Sequence, residues 1–141
     1  MNIPDVNVLV ALFHEDGPEH ARARAWWDES VRKGEPFTVP DVAWTGFLRV
    51  VTNRRLYDEA PDLAQAWAFV RAMSAHPQCL KHVPGPDTLM RCETATTQAR
   101  RTGPDISDAY LAAVAMDYGA TVVTFDRDFR KFDDLRVTEL A

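Results

Sequence analysis

Short apolar runs alternate with longer stretches of helical periodicity along this chain of 141 residues. Such alternation is typical of βαβ units, in which helices connect the strands of a mainly parallel sheet. The β-branched run at residues 121–124 is the most strand-like segment of the sequence. Shorter strands are predicted at residues 2–4, 36–39, 79–83 and 135–138. We therefore predict one α/β domain spanning residues 1–141, a length at which a sizeable core can form.

Residues that start or stop helices separate the helical stretches. Pro18 suits the first turn of one helix, Gly34 follows its last residue, and Gly119 stops an alanine-rich helix. The small side chains of that alanine-rich helix should let it approach the sheet closely. The predicted helices cover residues 7–13, 18–33, 41–53, 61–75, 87–101 and 105–118.

The composition is that of an ordinary globular protein, with 46% hydrophobic and 26% charged residues. A formal charge of −5 argues against a protein that coats nucleic acid by bulk attraction. Cys79 and Cys92 have neither a CxxC spacing nor a disulfide-rich context, which favours reduced thiols and a cytoplasmic location. No run reaches the roughly 20 apolar residues of a membrane span, so no membrane partner is expected.

Three aspartates occupy positions that folding should bring together. Asp5 and Asp126 each follow a predicted strand, and Asp108 lies in the first turn of the predicted helix 105–118. Because the carboxyl ends of parallel strands meet at one edge of a sheet, these side chains should become neighbours. Clustered carboxylates repel one another unless they take up a proton or bind a cation. Oxygen ligands of this kind suit Mg²⁺ or Mn²⁺, so the pattern predicts a divalent-metal site.

Neighbouring polar residues add to this candidate site. Asn7 and Thr124 are placed to orient the carboxylates by hydrogen bonds, although each could equally satisfy local backbone groups. Asp105 has the spacing of a helix cap, and Asp128 lies in a segment where turns favour aspartate. A bound dication could polarise a phosphoryl oxygen and lower the pKa of its water, which suits phosphodiester hydrolysis.

A basic stretch follows the predicted helix 41–53. Arg49, Arg54 and Arg55 have no acidic residue among them, and they could contact RNA phosphates or form a solvated helix end. A second, smaller basic pair occurs at residues 100–101. The familiar HExxH, GxSxG, GxGxxG and Walker motifs do not occur, which leaves the acidic cluster as the main candidate for chemistry.

Four segments of the chain resemble the PIN domain and, more narrowly, the VapC-type toxins of bacterial toxin–antitoxin pairs. In order along the chain, they are residues 5–9, 39–53, 108–115 and 123–129. The resemblance implies a three-layer α/β/α sandwich with a mainly parallel central sheet. It also implies a Mg²⁺- or Mn²⁺-dependent endoribonuclease that forms a homodimer and is inhibited by a VapB-like antitoxin. Carried onto this chain, the catalytic and metal-binding aspartates would be Asp5, Asp108 and Asp126.

One position departs from the family pattern. Gly46 occupies the place where the family usually has a glutamate in the helix after the second strand. Asp105 or Asp128 could compensate, a water could replace the missing ligand, or activity could be weakened. An alternative function is therefore a catalytically weakened PIN-like module that binds an antitoxin or RNA. A phosphoacceptor signalling domain is disfavoured because the lysine expected at a strand end of such modules is not evident.

Overall fold

The computed structural model describes residues 1–56, 62–99 and 105–140, with the side chains of residues 99 and 105 left aside. Its strands are β1 (Asn2–Pro4), β2 (Thr121–Thr124) and β3 (Arg136–Glu139). Its helices are α1 (Val6–Phe13), α2 (His20–Arg32), α3 (Asp41–Val51), α4 (Leu63–Ser74), α5 (Thr88–Ala99) and α6 (Asp105–Tyr118), and a 3₁₀ turn covers Arg127–Lys131. The predicted start of α4 at Pro61 and the predicted break at residues 103–104 lie outside the described residues.

The central sheet has the order β1-β2-β3, and both strand pairs are parallel. Asn2 lies opposite Thr121 in the first pair, and Thr121 lies opposite Arg136 in the second. A parallel neighbour requires a long crossover, so strands from the two ends of the sequence can lie side by side. This arrangement places the carboxyl ends of β1 and β2 next to each other.

The predicted strand at residues 36–39 is reduced to isolated pairing at one residue. Phe37 forms a parallel bridge to Asn2 on one side and to Cys79 on the other. Pro36 and Pro40 lie on either side of residues 37–39, and neither can donate a ladder hydrogen bond because proline has no backbone N–H. The sheet is extended here by single residues rather than by full strands.

The predicted strand at residues 79–83 is also mostly absent. Beyond the bridge at Cys79, the backbone at Val83 is bound by a side chain, because the Tyr118 hydroxyl accepts from its N–H at 3.2 Å and donates to its C=O at 3.1 Å. Tyr118 is the last residue of α6, so the end of this segment at Val83 is tied to a helix end instead of to a neighbouring strand.

Helices cover both faces of the sheet. Successive residues of a strand point to opposite faces, and Val122 accordingly packs in the larger core cluster while Val123 packs in a smaller one with Val8 and Ala23. The predicted alanine-rich helix is α6, whose alanines at 109, 112, 113 and 115 are all fully buried. The fold is thus an α/β sandwich around a parallel sheet, as predicted. Among the described residues, no helix is both long and apolar enough to cross a membrane.

Candidate active site

Asp5 lies at the carboxyl end of β1 and is almost fully buried, with 6% of its surface exposed. Its Oδ1 accepts a hydrogen bond from the Val6 N–H at 2.7 Å and so caps α1. Its Oδ2 accepts from Asn7 Nδ2 at 2.8 Å and from Thr124 Oγ1 at 2.7 Å. Burial raises the pKa of Asp5, the hydrogen bond from Thr124 opposes that shift, and the charge of Asp126 adds to it.

Thr124 connects the carboxyl ends of β1 and β2. Its hydroxyl is fully buried, donates to Asp5, and accepts from the Asp126 N–H at 2.9 Å and from Asn7 Nδ2 at 3.1 Å. Asn7 Oδ1 in turn accepts from the Phe125 N–H at 3.2 Å. The hydroxyl and amide thereby fix the Asp5 carboxylate relative to the backbone that carries Asp126.

The three predicted aspartates line one cavity of about 650 Å³. Asp5 and Asp126 reach it from the ends of β1 and β2, and Asp108 reaches it from the first turn of α6. Two further carboxylates, Asp16 and Glu19, line the same cavity from the loop between α1 and α2. Sequence patterns do not mark these two residues, because their position depends on how α2 packs back against α1. The cavity is therefore strongly acidic.

The other predicted site residues differ in whether they line this cavity. Asn7 lines it, and Thr124 holds the carboxylate inside it. Asp128 donates its backbone N–H to Asp126 Oδ1 at 2.8 Å, and its own carboxylate lies 3.3 Å from Lys131 Nζ. The Asp105 side chain lies outside the part of the chain that the structure describes.

The three arginines predicted to contact phosphate are all exposed at the end of α3 and just after it. Their neighbour Val50 lines the cavity, whereas the arginine side chains lie outside its walls. They are therefore near the acidic site without belonging to it.

Gly46 is buried in α3 and faces α1 at close range. A Cβ atom at position 46 would lie 2.8 Å from Cγ2 of Val6, which is shorter than normal contact. Val6 lines the cavity next to Asp5, so its side chain occupies the space that a larger residue at position 46 would need. Glycine at this position is thus matched to a branched residue on the neighbouring helix.

The carboxylates on the cavity wall are the type of ligand that a hard dication such as Mg²⁺ binds. Mg²⁺ usually retains several waters and binds through one or two protein carboxylates, so it does not require a complete protein cage. Within the described residues, no group of three or more His, Cys, Asp or Glu side chains is arranged to hold a metal ion. The charge of Asp126 contributes to the raised pKa of Asp5, so these two carboxylates lie within electrostatic range of each other.

Comparison with known proteins identifies the family of this fold and cavity. A PIN domain family model matches residues 3–135. The chain is 41% identical to "Ribonuclease VapC31" and 40% identical to "Ribonuclease VapC25" of Mycobacterium tuberculosis, each alignment covering 96% of both chains. The chain therefore belongs to the PIN domain family, in its VapC branch.

Solved structures share the fold at low sequence identity. M. tuberculosis VapC20, described as a sarcin-ricin loop cleaving toxin, has a TM-score of 0.71 at 16% identity, covering 96% of this chain and 99% of that one. The Rickettsia felis VapBC2 structure bound to a promoter DNA fragment has a TM-score of 0.74 at 11% identity, covering 98% of this chain and 97% of that one. These likenesses confirm the predicted fold class.

Proposed function

We infer that this protein is a ribonuclease that acts as the toxin of a toxin–antitoxin pair, and we propose that its activity depends on Mg²⁺ or Mn²⁺. The relatives named ribonuclease VapC support the activity. The observation that carries the metal dependence is that Asp5, Asp108 and Asp126 line one cavity, with Asp5 held in place by buried hydrogen bonds. The RNA substrate would be single-stranded or looped, because unpaired RNA exposes the edges and faces of its bases.

The residues proposed to hold the ion are Asp5, Asp108 and Asp126. When bound there, a dication would supply charge that polarises a phosphoryl oxygen and lowers the pKa of a coordinated water. Hydrolysis would then need no protein nucleophile, which agrees with a cavity whose polar groups are mainly carboxylates.

The chain's own residues prepare this site in two ways. Thr124 and Asn7 fix the rotamer of Asp5, so that its carboxylate does not have to reorganise when substrate arrives. Burial disfavours the ionised form of Asp5, and the nearby Asp126 does so further. A bound cation would therefore stabilise the ionised form of Asp5 more than that of an exposed aspartate, because it would offset both the burial and the repulsion by Asp126.

The test is RNA cleavage by purified protein with Mg²⁺ or Mn²⁺ and with EDTA. Asp5→Asn and Asp108→Asn should each lower the cleavage rate at least a hundredfold, because each removes a negatively charged ligand. Asp28→Asn is a matched control, since Asp28 is exposed on α2 and pairs with Arg24 away from the cavity. Full activity in both site variants, or full activity in EDTA, would reject the proposed site.

The second candidate function, a catalytically weakened module that binds an antitoxin or RNA, is favoured by one observation. Gly46 packs against Val6 and leaves no room for an additional carboxylate between α1 and α3. Metal-dependent turnover that copurifies with the wild-type protein and is lost in Asp108→Asn would eliminate this candidate. RNA binding without turnover would support it.

A VapB-like antitoxin is the proposed protein partner, because similar folds occur in VapBC complexes. The cavity combines five carboxylates with the apolar side chains of Val10, Ala11 and Val50, so it could accept a basic side chain carried on an apolar segment. A cytoplasmic homodimer is the proposed form of the free toxin. Size-exclusion chromatography with light scattering, with and without the antitoxin, tests both associations.

A further inference from the structure

Arg22 lies beside the acidic cavity and is held there by two weak contacts. Its Nη2 is 3.9 Å from Oε1 of the cavity-lining Glu19, which is too long for a hydrogen bond. Its guanidinium carbon lies 5.3 Å from the centre of the Phe125 ring, which is a cation–π distance. About half of the side chain is exposed, at 48%. The guanidinium thus lies next to a residue of the cavity wall without itself lining the cavity, and neither of its two contacts is close.

Phe125 fixes where this charge sits relative to the proposed metal ligands. Its backbone N–H donates to Asn7 Oδ1, and its ring packs against the small core cluster that includes Val8 and Val123. The residue directly precedes Asp126 in the chain. A guanidinium over this ring is therefore tied to the same backbone that carries a cavity carboxylate.

Helix stability does not account for Arg22. It lies in the first turn of α2, where the positive end of the helix dipole disfavours a cation. The other two arginines of α2 whose ion pairs the structure shows are closely paired, Arg24 with Asp28 at 2.9 Å and Arg32 with Glu29 at 2.7 Å. Arg22 differs from them because its nearest carboxylate is distant and belongs to the cavity wall.

We propose that Arg22 is a substrate-positioning residue that binds an RNA backbone phosphate at the rim of the acidic cavity, an inference that rests on the proposed ribonuclease function. A cavity with five carboxylates repels a polyanion, so a cation at its edge is needed to hold the backbone while the scissile phosphate approaches. A guanidinium stacked on an aromatic ring still presents its N–H edge, which matches two phosphate oxygens.

The experiment compares Arg22→Ala with Arg24→Ala, a matched loss of one exposed arginine two residues further along α2. With single-stranded RNA and Mn²⁺, Arg22→Ala should raise KM about tenfold and leave kcat within twofold, because a phosphate contact that is equal in ground and transition state affects binding alone. Arg24→Ala should change neither constant. Thermal unfolding of both variants checks that the fold is intact.

A second measurement does not depend on cleavage. Binding of a short labelled single-stranded RNA is titrated over a range of salt concentrations in the Asp108→Asn background. Loss of one phosphate contact should lower the slope of log Kd against log salt by about 0.7 in Arg22→Ala. Arg22→Lys should keep the slope but bind more weakly, because lysine keeps the charge and loses the planar fork.

The outcomes separate this inference from the proposed function. If the wild-type protein cleaves RNA but Arg22→Ala and Arg24→Ala have the same KM and the same salt slope, Arg22 does not bind phosphate. If Arg22→Ala lowers kcat with an unchanged KM and slope, Arg22 acts through Phe125 on the site, and the phosphate assignment is also wrong. Absence of cleavage by the wild-type protein would reject the ribonuclease function. The binding titration would still show whether Arg22 binds a phosphate.

Discussion

The contact between Gly46 and Val6 allows a prediction with a definite sign. In the interior of a helix, Gly→Ala normally stabilises a protein by about 1 kcal/mol. At Gly46, however, the new Cβ would lie 2.8 Å from Val6 Cγ2, and a β-branched side chain cannot easily rotate away. Overpacking of this kind costs about 1–3 kcal/mol. We therefore expect Gly46→Ala to lower the free energy of unfolding by about 1 kcal/mol, equivalent to roughly 3 °C in Tm for a chain of this length.

The assay is a double-mutant cycle measured by urea unfolding. In a Val6→Ala background the clash is absent, so Gly46→Ala should become stabilising by about 1 kcal/mol. Gly85→Ala is the control, because a Cβ there meets only Thr88 Oγ1 at 3.7 Å and Asp117 Oδ2 at 3.9 Å, which are ordinary contacts. If Gly46→Ala stabilises the protein while Val6 is present, the close packing of α1 against α3 does not explain glycine at this position.

Three further predictions concern the site and the thiols. Thr124→Val should lower stability by about 1–3 kcal/mol and reduce cleavage, because it removes one hydrogen bond to the buried Asp5 and leaves the Asp126 N–H without its acceptor, whereas Thr124→Ser should retain both. Folding raises the pKa of Asp5, so the metal-free protein should lose stability as the pH rises from the ordinary pKa of aspartate through the raised pKa. Mn²⁺ should therefore increase Tm more at pH 7 than at pH 5. An equal increase in Tm at both pH values, or an undiminished increase in Asp108→Asn, would contradict this. Burial raises the pKa of Cys79 and Cys92, so an Ellman titration should find both thiols slow in native protein and rapid after unfolding.

Elements with a strong local signal were predictable from the sequence. The strand at 121–124 and the helix at 105–118 have the predicted bounds, because a β-branched run and an alanine-rich run each favour one conformation. The helix predicted to begin at Pro18 begins instead at His20, since Pro18 belongs to the loop that lines the cavity. Pairing at 36–39 and 79–83 depended on neighbours that a pattern of apolar residues does not reveal.

The residues of the candidate site likewise include some that the sequence predicts and some that it does not. Asp5 and Asp126 could be placed together because both follow parallel strands, and Asp108 because a small-residue helix packs on that sheet; their role as metal ligands stays a prediction. The contribution of Asp16 and Glu19 depends on how α2 returns past α1. Such tertiary contacts carry no periodic signal, and they become visible only when the helices are packed.

The Thr124–Asp5 hydrogen bond joins residues 119 positions apart, and in the part of the chain that the structure describes β1 has no full partner strand before β2. Synthesis proceeds from the N-terminus, so a nascent chain carries Asp5 long before it carries the groups that hold that carboxylate. A fragment that ends before β2 lacks one wall of the cavity. For a ribonuclease toxin, this order of assembly means that an unfinished chain on the ribosome lacks part of the proposed catalytic centre.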